Sequence, residues 1–191
     1  MSNTVNTQKT YLYQDGDAYR APKGTAIPSN PFGATPTTGT GPGVVWDAFG
    51  GIQAGFETDP KRDINKKYLF NKRDSAAKVT KGPKENSMKF RAVQFSKATV
   101  LTSLMGGSIT ETSTGSGVWK WVEGVDETFA LMWVLDGEAS SLTDRMGFYC
   151  SEVTLGALPP RKTDGEDMEG FDFTLEALAP IIPISNFNPL V

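Results

Sequence analysis

The side chains that could carry out catalysis are few in this sequence. It contains no histidine and a single cysteine, Cys150. A thiol nucleophile needs a neighbouring base, and the imidazole that usually serves is missing. Cys150 lies in an alternating apolar run, so we expect it to be a small residue of the core, where free cysteines are usually found. No pair of carboxylates is marked by its spacing for general acid–base chemistry. The sequence therefore predicts that the protein is not an enzyme and that it binds no cofactor.

Carboxylates that could bind a metal ion occur in two places. Four lie in the charged loop between residues 159 and 170: Asp164, Glu166, Asp167 and Glu169. Nothing in their spacing fixes a coordination geometry, and a solvated loop is the favoured interpretation. Asp15 and Asp17 resemble the start of a calcium-binding loop, but the other ligands are missing, so we predict a plain turn at residues 14–17. The sequence predicts no metal site.

Two tryptophans could form a binding surface. Trp119 and Trp121 alternate in a short predicted strand and therefore share one face. If exposed, they are a stacking platform of the kind that binds sugars; if covered, they belong to the core or to an interface, which we favour because large aromatics dominate such surfaces. A monomeric β-sandwich carbohydrate-binding module is thus the alternative function.

Basic residues are concentrated in one segment, residues 57–85. It holds nine Lys or Arg and five Asp or Glu, a net charge of +4, in a chain whose net charge is −3. The rest of the chain therefore carries −7, and residues 111–176 hold 14 acids against four bases. A basic arm and an acidic body are complementary surfaces through which copies of one chain can bind each other. The alternative is that the segment is only a solvated loop.

The basic segment has few apolar residues with which to hold itself in a core. If its 29 residues form a hairpin, each strand reaches about 40 Å at 3.3 Å per residue. A two-stranded ribbon is only marginally stable in water, so we expect it to become ordered against another subunit. The residues that we predict to make this contact are Lys61, Arg62, Lys66, Lys67, Tyr68, Lys72, Arg73, Lys78, Lys81 and Lys84.

The elements that must position these groups are mostly strands. With 20 glycines and 12 prolines among 191 residues, the composition favours β structure with many turns, and one domain over residues 1–191 is expected. Residues 1–10 are polar and are predicted to be flexible. No run has the length of a signal peptide core or a membrane span, so we expect a soluble protein made in the cytoplasm.

Hydrophobic spacing predicts the main strands and one helix. Met88–Ala92 alternates like a half-buried antiparallel strand, whereas Phe129–Leu135 is nearly continuous and predicts a central strand covered on both faces. Ser96 is a typical helix N-cap residue, and Gly106 and Gly107 are typical of the end of a helix. Together they predict a short helix over about 97–105. Its sheet-facing residues are predicted to be Ala98, Leu101, Leu104 and Met105. The apolar tail around Ile182 is expected to dock on its own domain or on a neighbour.

The order of these segments resembles a known family. Gly16–Pro28 (GDAYRAPKGTAIP), followed after a Pro/Gly/Thr connection by Val45–Ile52 (VWDAFGGI), is similar to the start of the major tail tube proteins of long-tailed, siphovirus-type bacteriophages. The later strands and the helix follow in the same order, so the resemblance covers most of residues 16–180. The chain has Trp-Asp-Ala-Phe-Gly-Gly-Ile where members of the family more often show a Leu-Gly-Tyr type of sequence.

The resemblance implies an all-β fold, a β-sandwich or half-barrel with one short flanking helix and a long hairpin or loop insertion. It implies a structural virion protein whose homohexameric rings stack into the tail tube, with residues 57–85 as the inter-ring arm. Double-stranded DNA then passes through the lumen during genome ejection without specific binding. Other implied partners are the tape measure, tail terminator and distal tail proteins. No association with a membrane is implied. The protein is expected in the virion tail, and in the host cytoplasm during assembly.

Overall fold

The computed structural model describes residues 13–39, 43–71, 73–137, 144–162, 166 and 168–188. The segment predicted to be flexible, residues 1–10, lies outside the described residues, as does Lys72. The elements in chain order are β1 (Tyr13–Pro22), β2 (Thr37–Thr38), β3 (Val44–Val45), β4 (Asp47–Ala48), β5 (Ile52–Lys67), β6 (Lys78–Ala92), α1 (Lys97–Ser103), β7 (Ser108–Glu111), β8 (Trp119–Val122), β9 (Thr128–Gly137), β10 (Met146–Leu155), β11 (Arg161–Lys162), β12 (Gly170–Ala177) and β13 (Ile182–Ser185).

Nine of these strands form one antiparallel sheet. Its order is β4-β1-β9-β10-β12-β6-β5, with β11 added to β12 and β13 added to β10. β10 pairs with β9 along most of its length, whereas its other edge is divided between β13 at residues 146–149 and β12 at residues 153–155. The predicted docking of the tail is therefore confirmed, because β13 completes the chain's own sheet.

β9 is the central strand and is covered on both faces, as predicted. Phe129, Leu131 and Trp133 belong to the larger hydrophobic cluster, and the residues that alternate with them, up to Val134, belong to a second cluster on the opposite face. The second cluster is closed by Trp46 and by residues of the long connection after β1. This two-sided burial explains why the sequence of β9 is nearly continuous in apolar residues.

The larger cluster lies where the β5–β6 hairpin folds over the other half of the sheet. The ring of Phe56 in β5 stacks on Trp133 of β9, with 4.6 Å between ring centroids, and lies close to Gly16 of β1. Further along β5, Pro60 lines a groove with Phe148 of β10. β5 therefore crosses β1, β9 and β10 in turn. The all-β sandwich class with one short helix is confirmed.

The turn predicted at residues 14–17 is wrong. These residues continue β1 as a strand that pairs with β9, with Gly16 opposite Leu135 and a register irregularity between Tyr13 and Asp15. A β-carbon at Gly16 would lie 2.7 Å from the carbonyl oxygen of Val134 and 3.0 Å from the Phe56 ring. The glycine is needed for this close approach between layers, and the Asp-Gly-Asp sequence only resembles a turn.

The helix is confirmed, but its buried face differs from the prediction. Ser96 is the N-cap, and its hydroxyl accepts a hydrogen bond from the backbone N–H of Thr99. Ala98 is buried as expected, together with Thr99 and Thr102, whereas Leu101 is only half-buried. The two threonines are satisfied by hydrogen bonds, since the Thr99 hydroxyl donates to the Phe49 carbonyl and the Thr102 hydroxyl accepts from Arg20. Half-buried Met105 and buried Leu104 follow the last helical turn.

Arg20 joins the helix to the sheet. Its side chain is buried, lies 2.7 Å from Glu127, donates to Thr102 at 2.7 Å, and covers the ring of Phe129 at 4.4 Å from the centroid. A buried charge with these three partners is costly to disrupt, because removing it leaves a carboxylate and a hydroxyl without their main partner.

We expect Arg20→Met to lower the free energy of unfolding by about 3 kcal/mol, measured by urea denaturation. Lys23→Met is the matched control, because Lys23 pairs with Glu152 in an exposed ion pair and its loss costs less than about 1 kcal/mol. Equal effects from the two substitutions would contradict the role assigned to Arg20.

Candidate inter-subunit arm

The basic segment forms a hairpin, and we call residues 57–85 the arm. β5 and β6 pair from Ile52 opposite Ala92 at the base to Lys67 opposite Lys78 near the tip. β12 supports β6 only from Ser87 onward. Beyond that point the arm is a two-stranded ribbon, and the eight residues of β5 from Pro60 to Lys67 extend about 26 Å past the ladder with β12.

The arm is exposed along its length. Among its described residues, Asp59, Ala76 and Gly82 are half-buried and the rest are exposed. The exposed residues include five large apolar side chains, at 49–88% exposure: Ile64, Tyr68, Leu69, Phe70 and Val79. This apolar surface cannot be covered by the arm itself, since both faces of a two-stranded ribbon are open.

The predicted contact residues are spread over three parts of the arm. Lys61, Arg62 and Lys84 lie at its base, Lys66, Lys67, Lys78 and Lys81 along the shaft, and Tyr68 and Arg73 at the tip. Lys72 is outside the described residues. Sequence reasoning named Tyr68 but missed Leu69 and Phe70, although Tyr68–Phe70 is the one run of three large apolar residues in the arm.

Positive charge in the arm is poorly compensated. Arg62 lies opposite Lys84 and Lys67 opposite Lys78, and like charges directly across a ladder are destabilising. Lys61 pairs with Asp59 at 3.0 Å, and this hydrogen bond raises the pKa of Lys61. Among the described residues, no other base of the arm has a carboxylate within salt-bridge distance. An acidic partner would relieve this repulsion.

One face of the shaft combines apolar and basic side chains. The register places Ile64 opposite Lys81 and Lys66 opposite Val79, so these four residues share a face. At the tip, the guanidinium of Arg73 lies 4.7 Å from the centre of the Phe70 ring, which is 88% exposed. Apolar side chains beside cationic groups suit an interface with a partner that is apolar and acidic.

The tryptophan hairpin, residues 108–122, is the second exposed apolar feature. β7 and β8 pair only with each other, apart from the main sheet. Trp119 and Trp121 are 58% and 41% exposed, so neither belongs to the core. A binding platform and an interface are the predicted alternatives that remain. The Trp121 ring lies 6.3 Å from Phe95, which anchors the hairpin at one edge.

The remaining candidates for chemistry are not brought together. Cys150 is fully buried, as predicted, and burial raises the pKa of its thiol. Glu169 pairs with Arg161, while Asp164 and Asp167 lie outside the described residues. Within the described ranges, no three acidic or cysteine side chains are grouped so that they could hold a metal ion. No helix in those ranges has the length and apolarity to cross a membrane.

No family model matches the chain, and no curated protein matches its sequence. The resemblance to tail tube proteins thus stays a prediction.

We expect brief digestion of the dilute protein with trypsin to cut within residues 61–84 before it cuts at Lys89 or Arg91. Lys78, Lys81 and Lys84 lie on β6 together with Lys89 and Arg91. Lys89 and Arg91 lie in the ladder with β12, whereas the sites in the arm do not. Mass spectrometry of the early fragments distinguishes them. First cleavage at Lys89 or Arg91 would show that the arm is covered.

Proposed function

We propose that this chain is a structural subunit of a phage tail tube, in which homohexameric rings stack and the arm joins one ring to the next. The observation that carries the proposal is the arm itself: a long basic ribbon with five exposed apolar side chains and no covering element among the described residues. A monomer gains little from such an element, since a ribbon of this kind is marginally stable in water.

Open sheet edges support ring formation. The main sheet ends at β4, which covers β1 only at Tyr19 and Arg20, and at β5, which is 16 residues long. Exposed edges present unpaired N–H and C=O groups that can pair with the edge of another copy. Repeated pairing of one edge with a different edge is a heterologous contact, and such contacts close into rings when the rotation allows.

Charge supports stacking. The arm carries +4 and the rest of the chain −7, so the arm of one copy is attracted to the body of another. An acidic lumen would repel phosphate groups and let double-stranded DNA pass without specific binding. The tape measure, tail terminator and distal tail proteins are the further partners of the proposed tube, with the virion tail as its location after assembly in the host cytoplasm.

Removal of residues 61–84, with a short Gly/Ser turn in their place, tests the proposal. We expect the wild-type protein to form rings or tubes at high concentration that loosen as salt rises, because the arm contact is electrostatic. We expect the deletion variant to fold and to form no stacked tubes, since Phe56 and Met88–Ala92 stay in the core. Negative-stain microscopy measures stacking and circular dichroism measures folding. Intact tubes in the variant would refute the arm's role.

A carbohydrate-binding module is the second candidate, favoured by the exposed pair Trp119 and Trp121. It requires a protein that stays monomeric at every concentration, is retained on an immobilised glycan, and loses retention with Trp119→Ala. Phe70→Ala is the matched control, because it removes an exposed aromatic ring far from the pair. We expect no glycan retention of the wild-type protein on a mixed glycan array; retention that depends on Trp119 would favour this second function.

A further inference from the structure

The arm and the tryptophan hairpin lie at opposite ends of β6. β6 has 15 residues and therefore extends about 50 Å, with the arm tip beyond its first residue, Lys78. Three residues past its last residue, Ala92, Phe95 contacts Trp121 of the hairpin. Phe95 also contacts Phe171, which pairs with Ala92 at the same end of the ladder. One chain therefore cannot place its arm tip on its own tryptophan hairpin.

The segment from residue 108 to 126, which contains the tryptophan hairpin, is apolar and acidic. Its exposed apolar side chains are Ile109, Val118, Trp119, Trp121, Val122 and Val125. Between residues 108 and 126 there are three acids, Glu111, Glu123 and Asp126, and one base, Lys120. Glu111 accepts hydrogen bonds from the backbone N–H groups of Gly117 and Gly115, which hold its pKa below the usual value. Its negative charge therefore persists into mildly acidic solution.

The composition of this segment complements that of the arm. The arm presents Ile64 and Val79 between Lys66 and Lys81, with the aromatic tip beyond them. The hairpin presents aliphatic and indole surface beside Glu123 and Asp126. β7 and β8 form a two-stranded element outside the main sheet, and the arm is a two-stranded extension of that sheet beyond Ser87. Both surfaces therefore gain apolar burial and ordering from the same contact.

We propose that the tryptophan hairpin of one copy is the docking site for the arm of a second copy. The inference rests on the proposed function, for which it specifies the contact between rings. Because donor and acceptor surfaces lie at opposite ends of one molecule, each copy can bind one neighbour through its arm and another through its hairpin. Such a head-to-tail contact repeats along one direction, as a stack requires.

Charge reversal in two separate chains tests the docking. One variant carries Lys66→Glu and Lys81→Glu on the arm; the other carries Glu123→Lys and Asp126→Lys on the hairpin. Each variant alone brings like charges together, so we expect its association, measured by analytical ultracentrifugation, to weaken about tenfold or more. A mixture of the two restores opposite charges at both kinds of contact, and we expect association close to that of the wild type.

The control is a second pair of variants, Lys23→Glu and Glu152→Lys, each of which changes the net charge half as much as a docking variant. These residues pair with each other at 3.0 Å within one chain, outside both surfaces, so their reversal changes net charge without touching the proposed contact. We expect neither variant to lose association. Equal losses in the control variants would attribute the effect to net charge and overturn the docking site.

Disulfide trapping gives a readout that does not depend on tube formation. Because Cys150 is buried, a chain with Val79→Cys mixed with a chain with Trp119→Cys should form one intermolecular disulfide, detected on a non-reducing gel and located by mass spectrometry. Val79→Cys mixed with Lys23→Cys is the control and should not cross-link.

The outcomes separate the two proposals. If the arm deletion abolishes stacking but the hairpin variants associate normally and no cross-link forms, the docking site is wrong and the tube function stands. If the wild-type chain remains monomeric at every concentration and no cross-link forms, both the docking site and the tube function are refuted. Glycan retention by a monomer would assign the hairpin to sugar binding instead.

Discussion

The packing of Phe56 on Trp133 joins the two layers of the sandwich. It fixes the β5–β6 hairpin across the face of β1, β9 and β10 and so sets the direction in which the arm leaves the body. Phe90 of β6 also contacts Trp133, so both strands of the hairpin contribute to the crossing. Phe148 contacts Trp133 from the neighbouring strand, β10. Aromatic pairs of this kind contribute about 0.5–1.5 kcal/mol each beyond their area burial.

The arm is the extension of this rigid crossing beyond the core. The base of the β5–β6 hairpin is held by the ladder between β6 and β12, while the arm beyond it has opposed like charges and uncovered apolar side chains. The same two strands therefore pass from a well-packed core into a region that no described element covers. One hairpin can thus be part of the fold at its base and project from it at its tip.

Arg20 provides a second connection, at the other end of the molecule. It bridges β1 to Thr102 in α1 and to Glu127 just before β9. The chain between Thr102 and Glu127 contains the tryptophan hairpin. The hydrogen bond and the ion pair therefore attach both ends of that segment to the sheet. Both exposed apolar features are thus attached to the body of the protein through buried contacts.

Local spacing and residue type were enough to predict the strands with clear alternation, such as Met88–Ala92, together with the two-sided burial of β9, the Ser96 cap and the charge of the arm. Packing between distant elements places Gly16 within a strand, buries Thr99 and Thr102, and leaves Trp119 exposed, none of which the spacing could specify. Spacing identifies which residues share a face, but it does not identify which surface packs against that face. A glycine between aspartates predicts a turn when the layer that crosses it is unknown. A threonine is expected at the surface when its hydrogen-bond partner is unknown.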